Sequence, residues 1–245
     1  EFVTQDGLTL RGWLVNPDKA TKGSVIITHF GLAANRYGFR RDGQPFATRS
    51  LSKVDLEFTK ISQRLVQEGV AVLQYDLRNH GLSDKTPNSI TTNGRTEGFD
   101  VLAAVDFVGN KHEATCGKPI VLLSFCFGLS STFSAFNKDA DFMLRSGVKG
   151  LVGGQPNTSG VFLKSFGLPG CMYPATDIKY KEVTGVDLDP QEYFDGVKQA
   201  DVPALIMNGA SDTTVDHKWM AKVVDTLPHS DKKYVGIEGT TDRFS

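Results

Sequence analysis

The sequence predicts an α/β domain built on a mostly parallel, doubly wound sheet. Three observations predict it. Short apolar runs rich in Val, Ile and Leu alternate with longer amphipathic segments along all 245 residues, the pattern of parallel strands joined by crossover helices. One run, Ile120-Val121-Leu122-Leu123, turns through Ser124-Phe125-Cys126-Phe127-Gly128 into Leu129-Ser130-Ser131-Thr132-Phe133, a strand-to-helix junction with small residues on both sides of an apex side chain. The composition, 40% hydrophobic and 22% charged, is that of a globular chain that one α/β domain can accommodate.

Each element has its own signal. Leu8 to Val15 alternates apolar and polar residues and suits an exposed antiparallel strand that opens the sheet. Ser24-Val25-Ile26-Ile27-Thr28 is short, β-branched and apolar, as a buried parallel strand is. Val54 to Gln67 carries Phe58, Ile61 and Leu65 at helical spacing, and Gly69 stops it. Val70 to Tyr75 is the next strand, Phe99 to Val108 a helix with Leu102, Val105 and Val108 on neighbouring turns, and Ile120 to Phe125 the strand that feeds the elbow. Val148 to Val152, Ala204 to Met207 and Tyr234 to Ile237 complete the strands.

The whole chain, residues 1–245, reads as one domain, with 157–200 as a small lid insertion. That stretch has no clear strand, and its Gly and Pro residues predict little regular structure. It holds Phe162, Phe166, Met172, Tyr173, Tyr180, Tyr193 and Phe194. Its aromatic content argues against disorder, and long insertions of this kind are commonly functional. Phe162, Phe166 and Tyr173 are therefore expected to line a substrate pocket. An ordinary crossover helix with decorated loops is the competing reading.

Charge and cysteine usage narrow the classes. A formal net charge of −1 creates no long-range attraction to nucleic acid or an anionic membrane, and no apolar run approaches the ~20 residues of a membrane span. The expected partner is a small molecule, with a homodimer left open. Cys116, Cys126 and Cys171 form an odd, sparse set without a CxxC or Cys/His cluster. Neither a disulfide framework nor a metal or other cofactor is expected, and a reducing, cytoplasmic setting is the default.

Taken alone, Ser124 to Gly128 fits a nucleophile elbow and a buried free cysteine, which packs like a small hydrophobe, about equally well. The surrounding motifs decide. Val25-Ile26-Ile27-Thr28-His29, ending in Phe30-Gly31-Leu32, resembles the His-Gly loop of the α/β-hydrolase superfamily. Asp76-Leu77-Arg78-Asn79-His80-Gly81-Leu82-Ser83 resembles its D-x-R-G-x-G-x-S turn, with Asn79 in place of the first glycine. Ala204 to Asp212, A-L-I-M-N-G-A-S-D, is similar to the strand and loop that present the acid of its triad. The four landmarks stand in that superfamily's order over nearly the whole chain. A cysteine apex, with Asp6-Gly7-Leu8-Thr9-Leu10-Arg11-Gly12 near the N-terminus, is similar to dienelactone-hydrolase-like members.

The resemblance implies an α/β-hydrolase fold and acyl transfer from an ester, lactone or thioester. Cys126 is the expected nucleophile. It sits at a helix N-terminus, which favours its anion, and a thiol of pKa near 8.5 is already a few per cent ionised at pH 7. The Phe127 amide and that of Phe30 or Gly31 are the expected oxyanion donors. Asp212 is the expected acid, with a helix cap or turn role, and neighbouring Asp216, as its competitors.

The general base is the missing part. The loop after the last strand reads Glu238-Gly239-Thr240-Thr241-Asp242-Arg243-Phe244-Ser245, with Asp242 where the superfamily has its histidine. Three readings follow: the histidine lies further along, the position has been altered, or Asp242 or another group moves the proton. Among the five histidines, His29 is the first choice to line the pocket or act as base; His80 is structural, and His112, His217 and His229 are surface residues. Arg36, Arg40 and Arg41 are either a carboxylate site or solvated surface. The empty position leaves room for a non-hydrolytic lyase, cyclase or isomerase, or for a ligand-binding protein on the same scaffold.

Overall fold

Alternation along the buried strands builds the molecule. In the computed structural model, which describes residues 1–17, 21–31, 34–40, 42, 55–165, 167–212, 214–215 and 217–239, strand β4 (Ser24–Thr28) is buried at every position. Ile26 faces the larger hydrophobic cluster with Leu73, Leu122, Leu129, Phe133, Leu151 and Ile206. Val25 and Ile27 face the opposite cluster with Phe30, Phe39, Phe58, Val72 and Cys126. Successive side chains point to opposite faces, so a strand covered on both sides is apolar throughout.

Following the short antiparallel pair β1 (Phe2–Val3) and β2 (Thr9–Leu10) come β3 (Gly12–Val15), β4 and a second small pair, β5 (Gly38–Phe39) with β6 (Leu56–Glu57). The remaining strands are β7 (Ala71–Tyr75), β8 (Ile120–Phe125), β9 (Val148–Gly154), β10 (Ala204–Gly209) and β11 (Lys232–Ile237). The main sheet has seven strands in the order β11-β10-β9-β8-β4-β7-β3. All are parallel except β3, which runs antiparallel to β7 with Gly12 opposite Tyr75. The helices are α1 (Phe58–Gln67), α2 (Gly98–Asp106), α3 (Phe127–Arg145), α4 (Ser159–Ser165), α5 (Tyr173–Thr184), α6 (Gln191–Gln199) and α7 (His217–Thr226). This is a doubly wound α/β sheet. In such sheets ligands bind beyond the carboxyl ends of the strands. The loops after β4, β7, β8, β9 and β10 all meet there.

Local chemistry explains where element bounds depart from expectation. The opening strand breaks at Arg11, whose N–H donates to Ser83 Oγ at 2.9 Å and whose guanidinium pairs with Asp84 at 2.9 Å. Helix α1 starts at Phe58 because Leu56 and Glu57 pair with β5. Strand β9 runs on through Gly153 and Gly154, residues with little strand propensity. A Cβ on Gly153 would lie 2.7 Å from Leu129 Cδ2 of α3 and 2.9 Å from Ile206 Cδ1, so glycine there leaves both side chains their places between sheet and helix.

The stretch expected to hold little regular structure is instead largely helical, containing α4, α5 and α6 with a 3-10 turn at Gly170–Met172. Its last helix is part of the core. Tyr193 and Val197 of α6 are buried, and Gly196 abuts the Phe133 carbonyl of α3. Helices α4 and α5 lie outside that layer. Asp189 ties them together, accepting hydrogen bonds from Thr158, from Tyr173 at 2.6 Å and from Lys164 at 3.0 Å. Burial pushes the Asp189 carboxyl up, but these three donors hold it below the usual carboxylate range. No helix among the described residues is long and apolar enough to cross a membrane.

Candidate active site

Cys126 stands between β8 and α3 with φ 52° and ψ −115°. A side chain in this left-handed region costs about 1–3 kcal/mol and persists only where the surroundings impose it. They do so here on both sides. The Cys126 N–H donates to the Gly154 carbonyl at 2.7 Å, and its carbonyl accepts from Leu129 N–H at 2.9 Å. Ser124 is fully buried with its hydroxyl 2.7 Å from that of Thr132. A Cβ on Gly128 would lie 2.5 Å from the His29 carbonyl oxygen and closer still to that of Thr28. The small residues around the apex are therefore required by the close approach of α3 to β4. Gly128→Ala should lower stability by about 3 kcal/mol through overpacking against rigid backbone; a denaturant midpoint equal to the parent's would contradict that.

Phe127 opens α3, so its N–H has no acceptor within the helix. Its ring lies against Gly31, where a Cβ would be 3.2 Å from Phe127 Cγ. Phe30 is buried in the same cluster as Cys126, its ring 6.0 Å from Phe39 and 6.4 Å from Phe58. The sheet thus brings together Cys126, Phe30, Gly31 and Phe127. Leu32 and Ala33 lie outside the described residues.

Asp212, in the loop after β10, accepts a hydrogen bond from Thr214 N–H at 2.7 Å through Oδ1. Its Oδ2 is buried and carries no hydrogen bond among the described residues. Such an orphan costs about 1–3 kcal/mol or more for a charged group. The Tyr234 hydroxyl is likewise buried without a partner among the described residues; burial, and after it the Asp212 carboxylate, raise the Tyr234 phenol above its usual range. Asp242, Asp216 and Phe166 lie outside the described residues.

Several expected site residues have other work. His29 is fully enclosed, and both its ring nitrogens are engaged: Nδ1 donates to the Phe30 carbonyl at 2.6 Å and Nε2 accepts from Leu77 N–H at 3.1 Å. It pins the loop after β4 to the loop after β7, a structural placement rather than the pocket-lining or base role expected of it. Burial, with a smaller contribution from His80 at a ring distance of 5.0 Å, lowers His29 to about 3. The unfolded chain protonates near pH 6.5 and the folded chain does not. This contribution to stability is fully present above pH 6.5 and is lost as pH falls toward 3, at about 1.4 kcal/mol per pH unit. Urea unfolding should therefore show about 2 kcal/mol lost to His29 between pH 6.5 and 5. A His29→Gln variant as acid-sensitive as the parent would refute this.

Tyr173 is committed to the Asp189 staple, with Lys164 Nζ 4.2 Å above its ring. Phe162 sits partly buried on α4, whose Val161, Lys164 and Ser165 form one wall of a groove of about 440 Å³ against Thr214 and α7. Arg36 is no exposed carboxylate hook. It is buried, paired with Asp76 at 2.8 Å, and stacked 4.8 Å from the Trp13 ring centroid. Arg40 is exposed, and Arg41 lies outside the described residues. His80 is buried with Nδ1 on the Arg78 carbonyl at 2.8 Å, and His112 is half-buried against Phe107 rather than solvated.

Sequence reasoning missed two residues. Asn157, 5% exposed, places Oδ1 3.5 Å from Cys126 Sγ as acceptor of the thiol proton. Tyr193, read as a lid residue, is a buried phenol whose hydroxyl has no hydrogen-bond partner among the described residues. Burial, and after it a negative Cys126, drive that phenol well above its usual range, which puts the two groups within each other's field. The available signal was topological: Asn157 follows the strand next to β8, at the sheet's carboxyl edge.

No family model and no curated protein sequence matches this chain. Solved structures do. The esterase Pf2001 of Pyrococcus furiosus superposes with a TM-score of 0.65 at 18% identity, covering 99% of this chain and 81% of that one. Est1E of Butyrivibrio proteoclasticus, bound to ferulic acid, gives 0.68 at 19% identity over 99% and 90% of the two chains. The alpha/beta hydrolase GrgF of Penicillium sp. sh18 gives 0.62 at 18% identity over 100% and 90%. The chain therefore has the α/β-hydrolase fold, with its elbow at Cys126.

Proposed function

We propose that this protein is a cysteine-dependent acyl hydrolase of the dienelactone-hydrolase type, acting on an ester, lactone or thioester with an apolar or aromatic acyl group. The observation that carries the reading is Cys126 itself, held at positive φ between β8 and the N-terminus of α3. Half-buried Asp212, whose buried Oδ2 has no partner among the described residues, in the loop two strands away adds support. Aromatic rings around the apex favour an apolar or aromatic group: Phe58 and Phe125 stack at 5.4 Å, and Phe127 lies over Gly31. That one fold neighbour is an esterase and another holds ferulic acid agrees with an ester substrate.

In the reaction the Cys126 thiol loses its proton and sulfur bonds to the carbonyl carbon. The carbonyl oxygen takes the charge and faces the N–H of Phe127 and that of Phe30 or Gly31, donors worth ~3 kcal/mol of barrier each. The bond to the leaving group breaks, and the leaving group takes up a proton. Water then attacks the acyl-thioester, releasing the acid and restoring the thiol. Asp212 supports the proton movements, and Asp242 is the second candidate. Turnover of a panel of aryl esters, lactones and thioesters tests the reading: at least one class should be hydrolysed, and binding without turnover throughout would overturn it.

One observation favours a second reading. His29 is committed to main-chain partners, and Asp212 Oδ2 has none among the described residues. If no imidazole completes the site, it suits a lyase, cyclase or isomerase, or a ligand-binding protein. Stoichiometric release of the free acid would exclude it.

A further inference from the structure

We propose that Asn157 is the residue that stabilises the reactive, ionised form of Cys126, its side-chain amide turning to donate Nδ2–H to the sulfur. This rests on the reading of Cys126 as nucleophile.

The loop that carries Asn157 is clamped at three successive residues. Gln155 N–H donates to the Met207 carbonyl at 2.9 Å, Trp219 Nε1–H donates to the Pro156 carbonyl at 2.8 Å, and Ser130 Oγ donates to the Asn157 carbonyl at 2.6 Å. All three clamps use main-chain atoms of the loop, so none of them occupies the Asn157 amide. That amide is buried and lies 3.5 Å from Sγ. While the thiol keeps its proton, S–H donates to Oδ1. Once the proton has left to solvent, a half-turn about the terminal side-chain bond exchanges Oδ1 for Nδ2, and the amide becomes a donor to the anion. Hydrogen bonds to an ionised group are about twice as strong as neutral ones, and a donor to the charged form lowers the cost of charging. An amide cannot itself take the proton, so Asn157 stabilises the anion without acting as base.

Other described residues also surround the sulfur. Val25, Ile27, Phe30, Phe39, Phe58 and Val72 pack the cluster around Cys126 and offer no charge. Tyr193 from α6 is a titratable group whose ionisation senses Cys126, and burial holds it neutral through the range of interest. His80, 6.5 Å from the Phe127 ring, is held below its usual range by burial and is neutral above pH 7.

The test is a thiolate titration by absorbance near 240 nm in a background with exposed Cys116 and Cys171 changed to serine, using the Cys126→Ser protein as blank. Asn157→Ala should move the ionisation midpoint up by about one pH unit, an approximately tenfold loss of thiolate at pH 7. Asn157→Asp, of the same size, should move it further, because a carboxylate repels the anion. If either folded variant titrates with the parent's midpoint, the proposal is overturned. Because no substrate is involved, this result stands apart from whether the protein hydrolyses esters.

Discussion

Replacing Cys126 with alanine is expected to lower turnover by on the order of 10³-fold or more, because removing a nucleophile removes the covalent path and leaves only binding and the oxyanion donors. The fold should survive, since the side chain is small and its main-chain partners, the Gly154 carbonyl and Leu129 N–H, remain. Stability adds an independent check. At φ 52° and ψ −115° a Cβ is strained, and glycine is free of that strain. Cys126→Gly should therefore be inactive yet more stable than Cys126→Ala by about 1 kcal/mol or more. That combination, inactive yet more stable, would support a chemical role for the strained cysteine. If Cys126→Ala retains parental turnover, the nucleophile assignment is wrong.

The largest expected effect on stability lies one loop away. Arg78, 1% exposed, donates through Nε to Asp100 Oδ1 at 2.8 Å, and its N–H reaches Asp100 Oδ2 at the same distance. Asp6 closes the other side of the guanidinium at 2.6 and 2.9 Å. Asp100 is fully buried on α2. Burial pushes its carboxyl up, and the guanidinium opposes that rise. Arg78→Met leaves Asp100 buried and uncompensated, which should cost about 3–5 kcal/mol at pH 8. Protonation neutralises the orphaned carboxyl, so the deficit should shrink as pH falls toward 5. Adding Asp100→Asn should recover much of the loss, a coupling that a double-mutant cycle reads directly. Additive losses in the two single variants would show that the pair carries no such interaction.

The legible parts of this protein were those written locally. Strands β4 and β8 are continuous β-branched and apolar runs, and the structure bounds them at the residues the sequence indicates. The elbow was legible because its glycine and serine record a steric demand: Gly128 lies where any Cβ would strike the end of β4. The glycine-rich end of β9 was not legible, since Gly153 and Gly154 make room for the Leu129 and Phe125 side chains rather than follow strand propensity. Helices α4 to α6 were hidden by the Gly and Pro residues between them.

The site divides in the same way. Cys126, Phe30, Gly31 and Phe127 follow from strand ends and come together. His29 and Arg36 looked available because their partners, the Leu77 N–H and the Asp76 carboxylate, lie 48 and 40 positions away. Asn157 went unseen for the converse reason: it is 31 positions from Cys126, and only the adjacency of β8 and β9 brings the two together. Such long-range contacts leave no local trace in a single sequence.

The central claim is that Cys126 becomes covalently acylated during turnover. Rapid quenching with acid after mixing with an activated aryl ester, followed by mass analysis of the peptides, tests it most directly. The account predicts one acyl group on the peptide containing Cys126, appearing with the burst of released phenol and decaying as the free acid forms, with Cys116 and Cys171 unlabelled on that timescale. Continued turnover with no acyl group on Cys126 at any time would contradict it.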